Sequence, residues 1–517
     1  ARFENIDEFR NYIPLDSFNT SGNLNAHLQG MPDSLGLTAS LKLDETRYEK
    51  FITEKFELNG MANLTAADTT FSFEGFANNL SSEENKIDSV TFKLEGSLDS
   101  LLANAAIINS EINLSSNPVT VQNFIISGEA KTGDSDTTFN FNATADNIIY
   151  GDNNFDSFSF NVEGTPDSMK MNATIAGEEI YSQLKTGFVP GDRMKFTLSE
   201  WLISYHDQKW ALQNPPATIE IDSSNYIVDN FRLASGSGDS LQNISVQGKI
   251  TNNGREDFQL ELSNIDVATL KNILELESNP AGFLNLNLNV KGTSTFPEIS
   301  GNYKVNKASF NKYRFTKFNG GVNYANNQLT VKTLIVPQDS GKFDVNAILP
   351  ISINLDTMGY HFNPKDSIDG DVIFEKFALN ILQALDLPGD YSGSLHGKIA
   401  LGGTVDSPNP IGSLNLQDAT VHVDQYGIDY RDIKLNINFN NNKLILDALS
   451  IHTDDGNIRG TGQVNFESDI YTGDVSRSQI NLNFNQFNML NHNQFNMQLS
   501  GNAYLGGEKG NVVYGGD

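Results

Sequence analysis

Residues 284–290 read Leu-Asn-Leu-Asn-Leu-Asn-Val, a strict alternation of apolar and polar side chains. Because successive side chains of a strand point to opposite faces, this pattern predicts a strand with one apolar face and one hydrated face, as in antiparallel sheets. The alternation recurs at 139–141, 158–162, 258–262, 433–439 and 480–484. The residues predicted to line the apolar side are Phe139, Phe141, Phe158, Phe160, Leu260, Leu262, Leu284, Leu286, Leu288, Val290, Ile433, Leu435, Ile437, Phe439, Ile480, Leu482 and Phe484.

Short Asn-rich turns separate these segments. Asn326-Asn327 and Asn441-Asn442 each lie between two alternating runs, and asparagine accepts the positive φ that tight hairpin turns require. The sequence therefore predicts an all-β fold: an elongated, curved antiparallel β-sheet with a groove-like ("taco") cross-section. Three short helices are predicted in addition, over residues 3–13, 266–276 and 374–387.

The composition excludes several functions. The 517 residues include 64 acidic and 35 basic side chains, a net charge of −29, which argues against nucleic acid and anionic membrane surfaces as partners. The absence of cysteine fits an oxidising bacterial envelope. No apolar run is long enough to span a bilayer, so we expect an internal segment of a longer chain whose inner-membrane anchor lies outside it.

Internal repeats predict the domain organisation. The turn motifs that contain Asp33, Asp99, Asp167 and Asp239 are 66, 68 and 72 residues apart, whereas Asn326 and Asn441 are 115 apart. We therefore expect β-groove modules of about 66–72 residues over 1–250 and of about 110–115 residues over 251–517, in one continuous body.

The longer repeat resembles a known family. One copy reads Gly282-Phe283-Leu284, then Gly292-Thr293, then Pro297-Glu298-Ile299-Ser300-Gly301; the second runs from Gly393 through Gly403-Thr404 to Pro410-Ile411-Gly412. The strand entry at 210–219 is also similar. Together they resemble the AsmA-like superfamily, and within it the TamB family, over most of the chain and best from about residue 200 onward. The strong acidity and the lack of an anchor depart from that pattern.

The resemblance implies a function. Members of this family are long groove-shaped sheets in the periplasm that bridge the inner and outer membranes of diderm bacteria. The groove is thought to carry phospholipid, and the module supports assembly of outer-membrane proteins with a partner β-barrel related to the insertase of that membrane. We therefore expect a bridge-like lipid transfer protein with no cofactor and no catalytic activity.

The physics of the apolar face agrees with this expectation. Each methylene removed from water contributes roughly 0.8 kcal/mol, so a bent apolar sheet can bind acyl chains without any polar recognition group. Two alternatives remain open at this point. The apolar faces could form the cores of stacked sandwich domains, or the chain could be a parallel β-helix that serves as a surface adhesin or binds polysaccharide.

No cluster of residues predicts catalysis or metal binding. The seven histidines are scattered, and residues 152–156 have calcium-like spacing but lack a distal glutamate, so a hairpin turn is the better interpretation. Asp454-Asp455 is part of an Asp-Gly turn, and Trp201 and Trp210 are interpreted as packing residues rather than a sugar platform. The prediction is a protein that is not an enzyme, with no metal.

Overall fold

The structure is a computed structural model. It describes residues 2–3, 18–31, 33–65, 68–83, 85–114, 117–133, 136–151, 153–206, 208–252, 254–269, 279–311, 313–357, 359–381, 389–423, 427–466, 475–492, 495–508 and 511–517. The backbone contacts divide the chain into two units, Ala1–Gly236 and Ser237–Asp517.

Unit 1 is built of strands, most of them 10 to 16 residues long. They are β1 Arg2–Phe3, β2 Phe18–Met31, β3 Ser34–Tyr48, β4 Phe51–Thr65, β5 Thr69–Ser82, β6 Asn85–Gly96, β7 Ser100–Leu114, β8 Asn117–Thr132, β9 Thr137–Tyr150, β10 Asn153–Thr165, β11 Ser168–Gly177, β12 Ile180–Val189, β13 Arg193–Tyr205, β14 Gln208–Leu212, β15 Ala217–Asp222 and β16 Asn225–Ser235.

Unit 2 opens with a 3₁₀ turn, Gly238–Ser240, and most of its described residues lie in strands. They are β17 Gln242–Thr251, β18 Arg255–Asp266, β19 Pro280–Thr293, β20 Pro297–Phe310, β21 Tyr313–Ala325, β22 Gln328–Pro337, β23 Lys342–Pro350, β24 Ser352–Asn354, β25 Gly359–His361, β26 Asp369–Ala378, β27 Asp390–Gly403, β28 Pro408–Val423, β29 Ile428–Asn440, β30 Lys443–His452, β31 Asn457–Phe466, β32 Val475–His492, β33 Phe495–Glu508 and β34 Asn511–Gly516.

Within each unit, strands pair antiparallel with their neighbours in sequence. In unit 1 the ladder runs from β1 to β13, where β14 and β15 follow one another along β13 and both pair with β16. In unit 2 it runs from β17 to β34, except that β23 pairs directly with β26 and the β24–β25 hairpin stands apart. The predicted all-β antiparallel fold is confirmed, and the parallel β-helix is the wrong alternative.

The hairpin turns follow the predicted chemistry. Asn326 and Asn327 between β21 and β22 have φ of 52° and 60°, and Asn441 between β29 and β30 has φ of 58°. Asparagine tolerates this left-handed region better than most residues, so the turns need little strain to reverse the chain.

The first three repeat motifs lie at equivalent turns of unit 1. Asp33, Asp99 and Asp167 occupy the β2–β3, β6–β7 and β10–β11 turns, which are four strands apart and therefore at the same edge of the meander. Asp239, the fourth predicted copy, follows β16. Because β14 and β15 lie end to end and occupy one position in the ladder, β16 ends at the opposite edge, so Asp239 does not lie at an equivalent turn. The module lengths and the continuous body stay a prediction.

The two copies of the longer motif share backbone detail in unit 2. Gly282 of β19 and Gly393 of β27 have φ of 128° and 112°, and a Cβ on either glycine would press on an alanine of the next strand, Ala308 or Ala419. The glycines are needed because these strands approach too closely there for a side chain.

The helix predictions fare less well. Residues 267–269 are helical, and 270–276 lie outside the described residues, as do residues 4–13 of the first predicted helix. The helix predicted from Phe374 is wrong at its start, because Asp369–Ala378 is strand β26. Residues 379–381 form a 3₁₀ turn, and 382–387 lie outside the described part of the chain. The apolar spacing there comes from an irregular strand rather than a helical face.

Phenylalanine rings lie flat across glycines of the neighbouring strand in unit 1. Phe73 of β5 covers Gly60 of β4, where an added Cβ would be 2.5 Å from the Phe73 Cδ1. The same overlap would occur between Gly75 and Phe92. The absence of a Cβ lets each ring shield the backbone of the strand beside it.

We predict that Gly75→Ala destabilises unit 1 by about 1–3 kcal/mol, because the Phe92 ring must leave its position. Gly36→Ala in β3 is the matched control, since the nearest atom to its Cβ, Asn63 Oδ1, is 3.4 Å away. There, reduced freedom of the unfolded chain predicts no loss of stability. Thermal melting of the full chain measures both; equal melting temperatures for the two variants would contradict the ring-on-glycine account.

Candidate functional site

The predicted lining residues of unit 2 share one face of its sheet. Leu260 of β18 lies opposite Leu288 of β19, and Leu262 lies opposite Leu286. Leu435 and Ile437 of β29 pair with Leu416 and Leu414 of β28 in the same way. Apolar residues oppose apolar residues across consecutive strands, so the predicted positions form one continuous surface within this unit. The others on it are Leu284, Val290, Ile433, Phe439, Ile480, Leu482 and Phe484.

Unit 1 has an apolar face of the same kind. Phe141 of β9 lies opposite Val162 of β10 and Gly128 of β8, while Phe158 and Phe160 pair with Ala145 and Ala143. The register continues through Phe139, Ile126, Ala105, Phe92, Leu94, Phe73, Leu58, Leu41 and Leu24. We call these two surfaces the apolar face of unit 1 and of unit 2.

The apolar face of unit 1 is open. Leu24 is 38% exposed, Ile126 38% and Phe141 40%. A depression of about 470 Å³ lies on this face, and Phe73, Phe92, Ile126 and Phe141 are among the side chains that line it. Side chains in the centre of a sandwich core are close-packed and inaccessible to water, so this exposure disfavours the stacked-sandwich alternative.

The opposite face is polar and held by cross-strand pairs. In unit 1, Lys42 Nζ lies 3.4 Å from Glu57 Oε2, and Lys185 Nζ lies 2.8 Å from Glu200 Oε2. Asn161 Nδ2 donates 2.8 Å hydrogen bonds to two asparagine side chains of β9. Because these groups remain in contact with water, they keep the sheet hydrated on one side at little cost.

An irregularity that the sequence analysis missed crosses unit 1. Ile108 and Ser110 of β7 pair with Ser89 and Ile87 of β6, and the residues between them are skipped without any change of register. A gap without a register change recurs at every strand pair from β3 to β10; it is one residue wide on each strand except between β4 and β5, where it is two. We call this line the crease of unit 1; its positions are Glu45, Glu54, Asn79, Asp88, Asn109, Gln122, Asn147 and Asp156.

The crease shifts the alternation of apolar residues by one position. In β9, Ala143 and Ala145 are followed not by residue 147 but by Ile148, because Asn147 has φ of 49° and turns the strand. Side chains next to the crease are buried on its inner side, with Ala145 3% and Ser110 5% exposed. A bulge-like residue therefore lets the apolar side continue around a bend.

Unit 2 has related positions on separate strands, where, unlike in the crease, the pairing register also shifts. Ile265, Ala419 and Phe487 each follow a residue with positive φ and are only 4%, 0% and 5% exposed. The sequence signal is an apolar spacing of three within an alternating run, as in Leu416-Gln417-Asp418-Ala419. That spacing was available to sequence analysis, but at Phe374-Glu375-Lys376-Phe377 it was interpreted as helical.

The segment 351–368 of unit 2, between β23 and β26, covers one end of its apolar face. Tyr324, on that face, is 1% exposed, and its hydroxyl oxygen accepts a 2.8 Å hydrogen bond from the Ile353 N–H. The Leu355 N–H donates to the Ser294 carbonyl at 2.8 Å, and the Val405 N–H donates to the Asp366 carbonyl at 3.1 Å. The segment thus links three turns at one edge.

A buried carboxylate lies beside this segment. Glu256 is 3% exposed, and its Oε2 accepts a 2.9 Å hydrogen bond from the Thr251 N–H, while its Oε1 has no protein partner. Burial raises the pKa of Glu256; the Thr251 N–H opposes the shift, and the nearby Asp356 carboxylate adds to it. The charged form of Glu256 is therefore unfavourable in the folded state.

The residues set aside in the sequence hold structural contacts. Trp201 packs edge-on against Phe231, with ring centroids 5.9 Å apart, and its indole N–H donates to Ser182 Oγ. Asp455, in the β30–β31 turn, accepts a 2.8 Å hydrogen bond from the Asn488 side chain of β32. Asp152 lies outside the described residues. Among the residues that the structure describes, no group of three or more histidine, aspartate or glutamate side chains could hold a metal ion. In the same part of the chain, no helix combines the length and apolarity needed to cross a bilayer.

We predict that Glu256→Gln raises the melting temperature at pH 7 but not near pH 4. The pKa of Glu256 is higher in the folded than in the unfolded state. Its contribution to the free energy of unfolding is therefore fully present below the unfolded pKa and is lost as pH rises through the folded pKa. A neutral amide avoids the cost of a buried charge, about 1 kcal/mol or more.

Glu261→Gln is the matched control, because Glu261 lies on the exposed polar side of the same strand. Melting curves at the two pH values test the prediction. An equal rise in the melting temperature of Glu256→Gln at pH 7 and near pH 4 would contradict the prediction.

Comparison with known proteins supports the resemblance seen in the sequence. The family model described as TamB, N-terminal domain, matches residues 91–416, more than half of the chain, and no curated protein matches. Proteins of this family act in the cell envelope as non-enzymatic transport and assembly modules that work with an outer-membrane partner. On this match, and on the antiparallel sheet with one apolar side, the chain belongs to the TamB family.

Proposed function

We propose that the apolar face of each unit is a groove that binds phospholipid acyl chains, in a protein that carries them between the inner and outer membranes of a diderm bacterium. One observation carries the proposal: apolar side chains stay in register from strand to strand and yet remain open to water, as Leu24, Ile126 and Phe141 do. Apolar surface of this extent on a soluble protein marks a binding site.

The predicted lining residues are the proposed contact sites for acyl chains. Tails offer nothing to hydrogen-bond, so a surface of leucine, isoleucine, valine and phenylalanine binds them through burial alone, at about 0.8 kcal/mol for each methylene. The charged groups stand on the other face, where Lys42 and Glu57 pair. A lipid can therefore slide along the strands without breaking a specific polar contact.

The family membership supports the rest of the proposal. We infer a periplasmic location between the two membranes, attachment to the inner membrane, and an outer-membrane β-barrel related to the insertase as the partner. Through that partner the protein would also support outer-membrane protein assembly.

We predict that Ile126→Asp removes bound lipid without unfolding the protein. Ile126 is 38% exposed on the apolar face, so water can solvate the new carboxylate when no lipid is present. An acyl chain would have to lie against an unpaired charge, which costs several kcal/mol and lowers lipid occupancy about tenfold or more. The measurements are lipid content of protein purified without detergent, by native mass spectrometry, and thermal melting of the same sample.

Ile125→Asp is the control, because Ile125 is the adjacent residue, is 50% exposed and faces the polar side. It should keep both lipid and stability. Two results together would contradict the proposal: Ile126→Asp unfolds while Ile125→Asp does not, and the wild-type protein contains no lipid. They would favour the core of a stacked sandwich over a lipid groove.

A further inference from the structure

The crease of unit 1 is held by side chains as well as by backbone conformation. Asn109 Nδ2 donates a 2.9 Å hydrogen bond to Asp88 Oδ2 in the preceding strand. Asn79 donates in the same way to Glu54, and Asn147 to Gln122. Every second strand pair from β4–β5 to β8–β9 thus carries the same amide contact at the point where the ladder is interrupted, so the bend is repeated along unit 1.

The residue type at these positions fits a required left-handed backbone. Asn79, Asn109 and Asn147 have φ of 49°, 47° and 49°. Asparagine tolerates this region and glycine favours it, whereas valine, with its branched Cβ, is excluded from it. A branched residue at one crease position would therefore favour a straight, regularly paired strand.

The bend brings apolar side chains together on its inner side. Ala77 and Ala145, two residues before crease positions of β5 and β9, are 6% and 3% exposed, while Ile126 farther from the crease is 38% exposed. Burial therefore decreases with distance from the crease, as expected for a slot that is closed at its base and open at its mouth.

Slot width limits what can enter. Two sheet faces whose side chains interdigitate are about 10 Å apart and leave no space between them, so an acyl chain fits only where the bend holds the walls farther apart. The residues at the base, Ala77 and Ala145, have small side chains, so the width available there depends on how far the bend separates the two walls.

We propose that the crease of unit 1 sets the width of the apolar groove and thereby selects acyl chains by their cross-section. This inference rests on the proposed lipid-binding function. Asn79, Asn109 and Asn147 are positioning residues: they touch no lipid and act through the bend. Straight chains enter the groove, whereas methyl-branched chains are rejected by roughly tenfold, the discrimination an apolar pocket makes against one additional methyl group.

The bend is measured first, without lipid. The chain has no cysteine, so spin labels attach only at the two introduced ones, Asp99→Cys and Glu111→Cys. Asp99 lies in the β6–β7 turn and Glu111 lies in β7 beyond Asn109; both are exposed. A straight strand between them would span about 40 Å. We expect a shorter distance in the otherwise wild-type chain and with Asn109→Gly, and a longer one with Asn109→Val.

Lipid selection is measured next. Each protein is incubated with vesicles of dipalmitoyl-phosphatidylcholine or of diphytanoyl-phosphatidylcholine, whose chains carry methyl branches, and lipid bound per chain is counted by mass spectrometry. Wild type and Asn109→Gly should prefer the straight lipid about tenfold. Asn109→Val should bind both about equally, and Asn104→Val, on the exposed polar side of the same strand, should behave as wild type.

The outcomes separate this inference from the proposed function. Two results overturn the selection role and leave the proposed lipid binding intact. One is that Asn109→Val binds lipid with an unchanged preference for the straight-chain lipid; the other is that its spin-label distance is unchanged. A wild-type protein that takes up neither lipid overturns the conduit and the selection together. If Asn109→Val does not fold, Asn109→Ala, which also disfavours the left-handed region, is measured by the same two readouts, and retained preference with it overturns the proposal.

Discussion

The cross-strand register of apolar side chains is the constraint on which the rest of this structure depends. Within the described strands of each unit, an apolar residue lies between its partners on the two adjacent strands, as Leu260 does between Leu288 and Val246, and they shield it from water. A slip of one residue would turn an entire strand inside out. The long ladders and Asn-rich hairpins hold that register, and the polar face keeps the sheet in water.

The same constraint explains the crease in unit 1 and the covering segment in unit 2. An apolar face that is fully open loses the benefit of burial, whereas one that is fully closed leaves no room for a ligand. The crease in unit 1 and the segment over Tyr324 in unit 2 each close part of the face. Stability thus comes from the base of the bend, and the face farther from it stays available.

Much of the fold could be predicted from the sequence because period-2 alternation is local. The lining residues follow from that alternation, and within each unit they do share one face. The crease was missed because its signal, a single apolar spacing of three, resembles a helical turn when read in a short window; Phe374 and Phe377 illustrate the confusion. The raised pKa of Glu256 could not be found at all, since its burial is a property of the folded sheet and Asp356, which adds to the shift, is 100 residues away in sequence.

Strand order in each unit has a consequence for how the chain acquires its structure. Every long strand in the described ladders pairs with the strand just before it, apart from β26, which pairs across a short insertion, and β16, which pairs with both halves of a broken strand. Contacts are therefore local in sequence, a property associated with rapid folding and with growth from a single nucleus. A polypeptide that emerges N-terminus first can add each new hairpin to an edge that already exists. In vectorial assembly of this kind, the edge of the newest strand is covered by the next strand as it emerges, which limits aggregation while the chain is incomplete.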